Sequence, residues 1–176
     1  MFEVFLLFLT MLQAFNPIVY DDSKILILGT MPSEKSLHKQ EYYGNLTNKF
    51  WLLLFETFQF EPTKDYIKKN NFLKQNNIAL WDVLAFCERE GSLDSAIKNE
   101  IANDFTSFFE RYSKIEHIIF SSKNAYKLYK KYVNNFYGCC YTVLPSSSGA
   151  YAAMNYNEKL NNWKVIKNIH ENLTKK

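Results

Sequence analysis

The chain predicts an α/β fold of three layers, αβα, with a central four-stranded parallel sheet. Three observations predict it: four short apolar runs bounded by turn residues, segments of helical period lying between them, and no internal repeat or low-complexity linker to break the alternation. Apolar runs that are continuous rather than alternating mark strands buried on both faces, as a parallel sheet requires. At 176 residues the chain fits one domain, large enough to bury roughly two thirds of the surface its unfolded form exposes.

In order, the first strand is predicted over Lys24-Ile-Leu-Ile-Leu-Gly29, where glycine ends the run. Helical period follows from Asn48 to Phe58 and from Pro62 to Gln75, and a second strand over Asn77-Ile-Ala-Leu-Trp81. A helix from Asp104 to Tyr112 leads to a third strand, Ile115-Glu-His-Ile-Ile-Phe-Ser121. A helix from Asn124 to Phe136 leads to the fourth, Cys140-Tyr-Thr-Val-Leu144, and one last helix runs from about Asn157 to Leu173. The first ten residues are apolar but too short to span a bilayer, and they lack the basic region of a signal peptide. Two readings of them stay open: an extension upstream of a true start at Met11, or an extra helical turn packed on the core. The domain is therefore placed at 15–176, with 1–14 as an extension.

Composition narrows the function classes. With 47% hydrophobic and 22% charged residues, a disordered tail is excluded. A formal charge of +3 and a pI near 8.6 are compatible with an anionic partner but fall short of a strongly basic binding module. The 17% aromatic content serves either core packing or stacking on unpaired bases. Cys87, Cys139 and Cys140 offer no CxxC pair and no ligand set, so no metal and no cofactor are expected, only the reduced thiols of a cytoplasmic protein.

Ligands of open parallel sheets bind beyond the carboxyl ends of the strands, so the loops after the first and fourth strands are the candidate site. The first reads Gly29-Thr-Met-Pro-Ser-Glu-Lys-Ser-Leu37 and then Glu41-Tyr-Tyr-Gly-Asn-Leu-Thr-Asn-Lys-Phe-Trp51. Its small residues let backbone amides approach a ligand, and Thr47 and Asn48 sit where a helix begins, either to favour an anion or merely to cap the helix. The second, Leu144-Pro-Ser-Ser-Ser-Gly-Ala150, is a run of hydroxyls and small residues that can follow a phosphate backbone or form an ordinary turn.

Together with Leu80-Trp-Asp-Val-Leu84 and Cys87-Glu-Arg-Glu-Gly-Ser-Leu-Asp94, these segments in this order resemble the uracil-DNA glycosylase superfamily, most closely its hypoxanthine-DNA glycosylase branch, from about Phe15 to Ala152. The resemblance implies a monofunctional glycosylase that removes a deaminated base from DNA (hypoxanthine first, uracil or xanthine as alternatives) and leaves an abasic site. It implies DNA as the partner, no membrane, and a monomer. It maps catalysis onto Asn48, stacking on the base onto Tyr43, and reading of the base edge onto Gly29, Thr30, Met31, Pro32, Ser33 and Ser121. Pro145, Ser146, Ser147 and Ser148 are expected to bind the DNA backbone. Met31 stands near the place where other branches carry Asp or Asn. Two positions depart from the branch: Phe120-Ser-Ser122 replaces Phe-Asn-Gly, so Ser121 lacks the two-sided amide of asparagine. Gly149 replaces a proline, which predicts a less rigid loop.

Outside these positions the readings are double. Asp82 and Trp81 either border the pocket or form a helix cap beside a core indole. Arg89 and Asp94 either pair or clamp a loop, or touch substrate. His38 contacts phosphate or faces solvent, and His117 and His170 read as structural. The cluster Lys127, Lys130 and Lys131 reads as a solvated helix face or a DNA contact. Two other function classes remain: a nucleic-acid-binding protein of the same fold without catalysis, and a small-molecule hydrolase supported by the sheet pattern alone.

Overall fold

A computed structural model of the chain describes residues 11–175, so both readings of the first ten residues lie outside the described part. In chain order the strands are β1 (Leu12–Gln13), β2 (Ile25–Gly29), β3 (Ile78–Asp82), β4 (Leu84–Glu88), β5 (Lys98–Ala102), β6 (His117–Phe120) and β7 (Cys140–Val143). The helices are α1 (Glu34–Lys39), α2 (Phe50–Phe58), α3 (Tyr66–Gln75), α4 (Phe105–Arg111), α5 (Lys123–Tyr132), α6 (Tyr156–Trp163) and α7 (Val165–Thr174).

The four apolar runs form one parallel sheet in the order β3-β2-β6-β7. Successive side chains of a strand point to opposite faces, and the core divides accordingly. Ile25, Ile27, Ile78, Leu80 and Ile119 pack with Phe50, Leu54, Phe72, Trp163 and Ile166 of α2, α3, α6 and α7. Leu26, Leu28, Trp81, Ile118 and Phe120 pack with Phe105, Phe108, Phe109, Ala125 and Tyr129 of α4 and α5. These are the three expected layers. Ser33, Asp65, Asp104 and Ser122 cap α1, α3, α4 and α5, and Asn155 with Glu158 closes a capping box on α6; each such cap is worth about 1 kcal/mol.

The fold departs from expectation in four places. An antiparallel sheet β1-β4-β5 covers one flank. Leu12 and Gln13 pair with Cys87 and Phe86, so a domain boundary at residue 15 would cut through this small sheet. A short α1 occupies what reads as loop. The single C-terminal helix is two, broken at Lys164, so that Trp163 and Ile166 on either side both reach the core. Among the described residues no helix is long and apolar enough to cross a membrane, and no group of three or more His, Cys, Asp or Glu side chains is placed to hold a metal ion.

Candidate active site

β2 lies between β3 and β6, so the chain leaves its carboxyl end toward one side of the sheet and returns to the other through β6. A crevice opens at such a reversal. Here it is a pocket of about 420 Å³, within the range of roughly 300–1,000 Å³ common to small-molecule sites.

The pocket gathers every residue that the resemblance maps: Gly29 to Ser33, Tyr43 and Asn48 of the first loop, Ser121 after β6, and Pro145 to Ser148 of the second loop all line it. Thr30 and Met31 are largely buried, with Met31 in the apolar cluster beneath the sheet. Ser33 Oγ caps α1 through Ser36 N–H at 3.2 Å. The two loops are joined directly, because Lys49 N–H donates to Ser147 O at 2.9 Å.

Tyr43 sits in the left-handed region with φ 52°. Its ring stacks on Phe50 at 3.6 Å with an angle of 2°, which leaves the other ring face toward the pocket. Its hydroxyl donates to Ser121 Oγ at 3.1 Å. Burial, with Asp82 nearby, pushes the phenol well above its ordinary range, so the ring remains a neutral donor.

Asn48 Oδ1 accepts the Phe50 N–H at 2.9 Å and so anchors the first turn of α2. That bond restrains the carboxamide on the pocket wall. Thr47, the alternative cap, instead donates its hydroxyl and amide to Asn45 Oδ1 at 3.1 and 3.2 Å.

The serine loop is clamped by its carbonyls. Trp163 Nε1 donates to Pro145 O at 3.1 Å, and Lys159 Nζ donates to Ser148 O at 3.2 Å and Tyr151 O at 2.8 Å. Gly149 lies so close to Thr47 that an added Cβ would stand 2.9 Å from the Thr47 carbonyl oxygen. Glycine here permits the contact between the two loops, and the clamps restore the stiffness its backbone would otherwise lose.

Asp82 and Asp94 also line the pocket. Asp82 caps no helix; it ends β3, 4% exposed, and Gly29 accommodates it, since a Cβ there would meet Asp82 Oδ1 at 2.4 Å. Its Oδ2 is buried with no hydrogen-bond partner among the described residues. Burial first, then the charge of Asp94, lift its pKa to about 7 against the pull of Arg89. Asp94 Oδ2 accepts from Thr30 Oγ1 at 2.9 Å, and Arg89 clamps the loops through Pro32 O and Gly91 O. Position alone did not separate Asp82 from a cap, because its burial depends on Gly29 some fifty residues away.

A carboxyl whose folded pKa exceeds its unfolded one stabilises fully below the unfolded pKa, and that contribution is lost as pH rises toward the folded pKa. For Asp82 the loss runs from about 4 to about 7. The Asp82→Asn variant is therefore expected to gain stability relative to the wild type across that window and hold the gain above it, as melting temperatures at pH 4.5 and 8 will read. A difference independent of pH would contradict the buried, protonated state.

The remaining candidates fall outside the pocket. His38 is exposed on α1. His117 Nε2 contacts Thr142 Oγ1 at 2.9 Å and the His170 ring packs on Phe58. Lys131 pairs with Glu100 at 3.1 Å on the α5 surface. Lys123 and Asn124, at the start of α5, do line the pocket; their only sequence signal was their place directly after the third strand.

Comparison with known proteins accords with this geometry. Residues 17–171 match the family model of the uracil DNA glycosylase superfamily. A protein of Methanosarcina acetivorans named hypoxanthine DNA glycosylase is 39% identical over 158 residues, covering 88% of this chain and 96% of its own. One of the same name from Methanosarcina barkeri is 34% identical over 114 residues, 64% and 72% of the two chains. A solution NMR structure of a candidate uracil DNA glycosylase from Methanosarcina acetivorans superposes with a TM-score of 0.79 at 36% identity, covering 92% of this chain and 99% of the other.

Proposed function

The chain belongs to the uracil DNA glycosylase superfamily, and from that premise we propose that it hydrolyses the N-glycosidic bond of a deaminated base in DNA, hypoxanthine before uracil or xanthine, and leaves an abasic site. The observation that carries the reading is the convergence of both loops, with Tyr43 and Asn48, on one pocket at the switch point of the sheet.

A base in a duplex is out of reach, so the nucleotide must rotate out of the stack, at a cost of a few kcal/mol that is least for a mispaired deaminated base. The open face of Tyr43 covers the extruded ring. The backbone from Gly29 to Ser33 and the hydroxyl of Ser121 lie where they can read its edge. The departing base carries negative charge and the sugar positive charge, so fixed dipoles aimed at both lower the barrier. Asn48, held rigid by Phe50 N–H, supplies such a dipole, donating to the base or holding the water that attacks C1′. Pro145, Ser146, Ser147 and Ser148 take the flanking phosphates with small side chains and exposed amides. The chemistry calls for no lysine Schiff base, no metal and no cofactor; the working form is a monomer in the cytoplasm, with residues 15–176 as the catalytic domain and the extension before it lending β1 to the small sheet.

Leu46 and Leu93 stand 76% and 61% exposed, Leu93 on the pocket wall and Leu46 between the lining residues Asn45 and Thr47. Apolar side chains at such a rim can press into the base stack and hold it open. Changing both to Ala is expected to slow excision from duplex DNA by about tenfold or more, roughly 1.4 kcal/mol, and to leave excision from single strands within about twofold. Equal losses on both substrates would remove the wedge role.

The function itself is tested by incubating the protein with duplexes that each carry one deoxyinosine, deoxyuridine or deoxyxanthosine and scoring alkali-labile sites. Cleavage fastest at deoxyinosine is expected. Tight binding of all three without cleavage would identify a non-catalytic binding protein instead.

A further inference from the structure

Asp82 lines the pocket beside Gly29, more than nine-tenths buried, with Oδ2 unpaired. A buried carboxyl oxygen without a partner is costly, and buried polar atoms in native folds are otherwise satisfied. The charged and titratable groups facing it hold other partners, Arg89 in part. Arg89 donates through Nη2 to Pro32 O and through Nε to Gly91 O, while its Nη1 is buried without a partner among the described residues. Asp94 accepts from Thr30 and Asn124, the Tyr43 hydroxyl donates to Ser121, and the Tyr42 hydroxyl donates to the carbonyls of Phe15 and Asn16. Asp82 thus lines the pocket with a buried carboxyl oxygen that no described residue satisfies.

Resting on the glycosylase reading, we propose that Asp82 is a catalytic acid: its neutral carboxyl donates a hydrogen bond to an unprotonated ring nitrogen of the extruded purine, N3 or N7, and passes that proton over as the base departs. The C1′–N9 bond breaks with its electron pair going to the purine. The Asp82 O–H bond breaks and its proton goes to the ring nitrogen, so hypoxanthine leaves neutral. A water oxygen bonds to C1′ and sheds a proton to solvent, from which Asp82 is recharged; one water is consumed in all. Burial and the Asp94 charge keep the proton on Asp82 near neutral pH, the range in which a general acid works best. The assignment also separates substrates, because hypoxanthine offers unprotonated ring nitrogens and uracil offers only carbonyl oxygens as acceptors.

The test is the pH profile of single-turnover excision from a deoxyinosine duplex, wild type against Asp82→Asn. Binding to a duplex carrying a non-cleavable 2′-fluoro deoxyinosine is measured in parallel. The wild-type rate is expected to fall as pH rises through about 7. Asp82→Asn should be about 100-fold slower at pH 6, lose that pH dependence, and keep binding within a few-fold. A wild-type profile flat from pH 6 to 8 overturns the proposal even if the variant fails to fold, as does a folded variant within threefold of the wild type at pH 6. A wild type that excises no base overturns the glycosylase reading along with it, whereas an active enzyme with a flat profile overturns the role of Asp82 alone.

Discussion

Replacing Asn48 with Ala is expected to lower single-turnover excision of hypoxanthine by about two orders of magnitude or more while affinity for the DNA survives, the pattern of an interaction used in the transition state. The residue also holds the first turn of α2 through Phe50 N–H, so its loss costs about 1 kcal/mol of stability as well. Asn48→Asp separates the two roles: the carboxylate keeps the acceptor that anchors the helix but presents no Nδ2 donors to the pocket. A folded Asn48→Asp enzyme that is nevertheless slow assigns catalysis to the carboxamide. Wild-type rates in both variants would move the catalytic assignment to the loop around Ser146 to Ser148.

Gly29→Ala is expected to have the next largest effect, because the added methyl has nowhere to go. Its Cβ would stand 2.4 Å from Asp82 Oδ1 and 3.0 Å from the Tyr43 hydroxyl. Overpacking of this kind costs about 1–3 kcal/mol, and displacing either group by even a fraction of an ångström disturbs a preorganised site. Excision should fall by tenfold or more, with a lowered melting temperature. Combining the change with Asp82→Ala removes the collision, so the pair should destabilise by less than the sum of the two single changes. Additive losses would place the clash elsewhere.

Much of this was legible because parallel strands buried on both faces leave an unmistakable trace. Ile25 to Leu28 and Ile118 to Phe120 are apolar without interruption, and the crevice between their ends follows from the strand order. The small sheet left no such trace. β5, Lys-Asn-Glu-Ile-Ala, is mostly polar, and its pairing with β4 shifts register twice, so no period of two survives in the sequence. α1 buries only Ser36 and shows no apolar stripe. Within the site, the loops could be located from their glycines, serines and position, but their internal wiring could not. The Lys49–Ser147 bond and the Lys159 clamp join residues separated by up to about a hundred positions, and the burial of Asp82 exists only once Gly29 lies against it.

The central claim is that this pocket breaks an N-glycosidic bond in DNA by hydrolysis. It is met most directly by mass analysis of the products of one turnover on a duplex carrying a single deoxyinosine. The predicted result is free hypoxanthine in equal amount to an uncut strand bearing an abasic site. A bound duplex that releases no base would contradict it, and so would a strand cut by elimination with a borohydride-trapped adduct on Lys123, the lysine on the pocket wall.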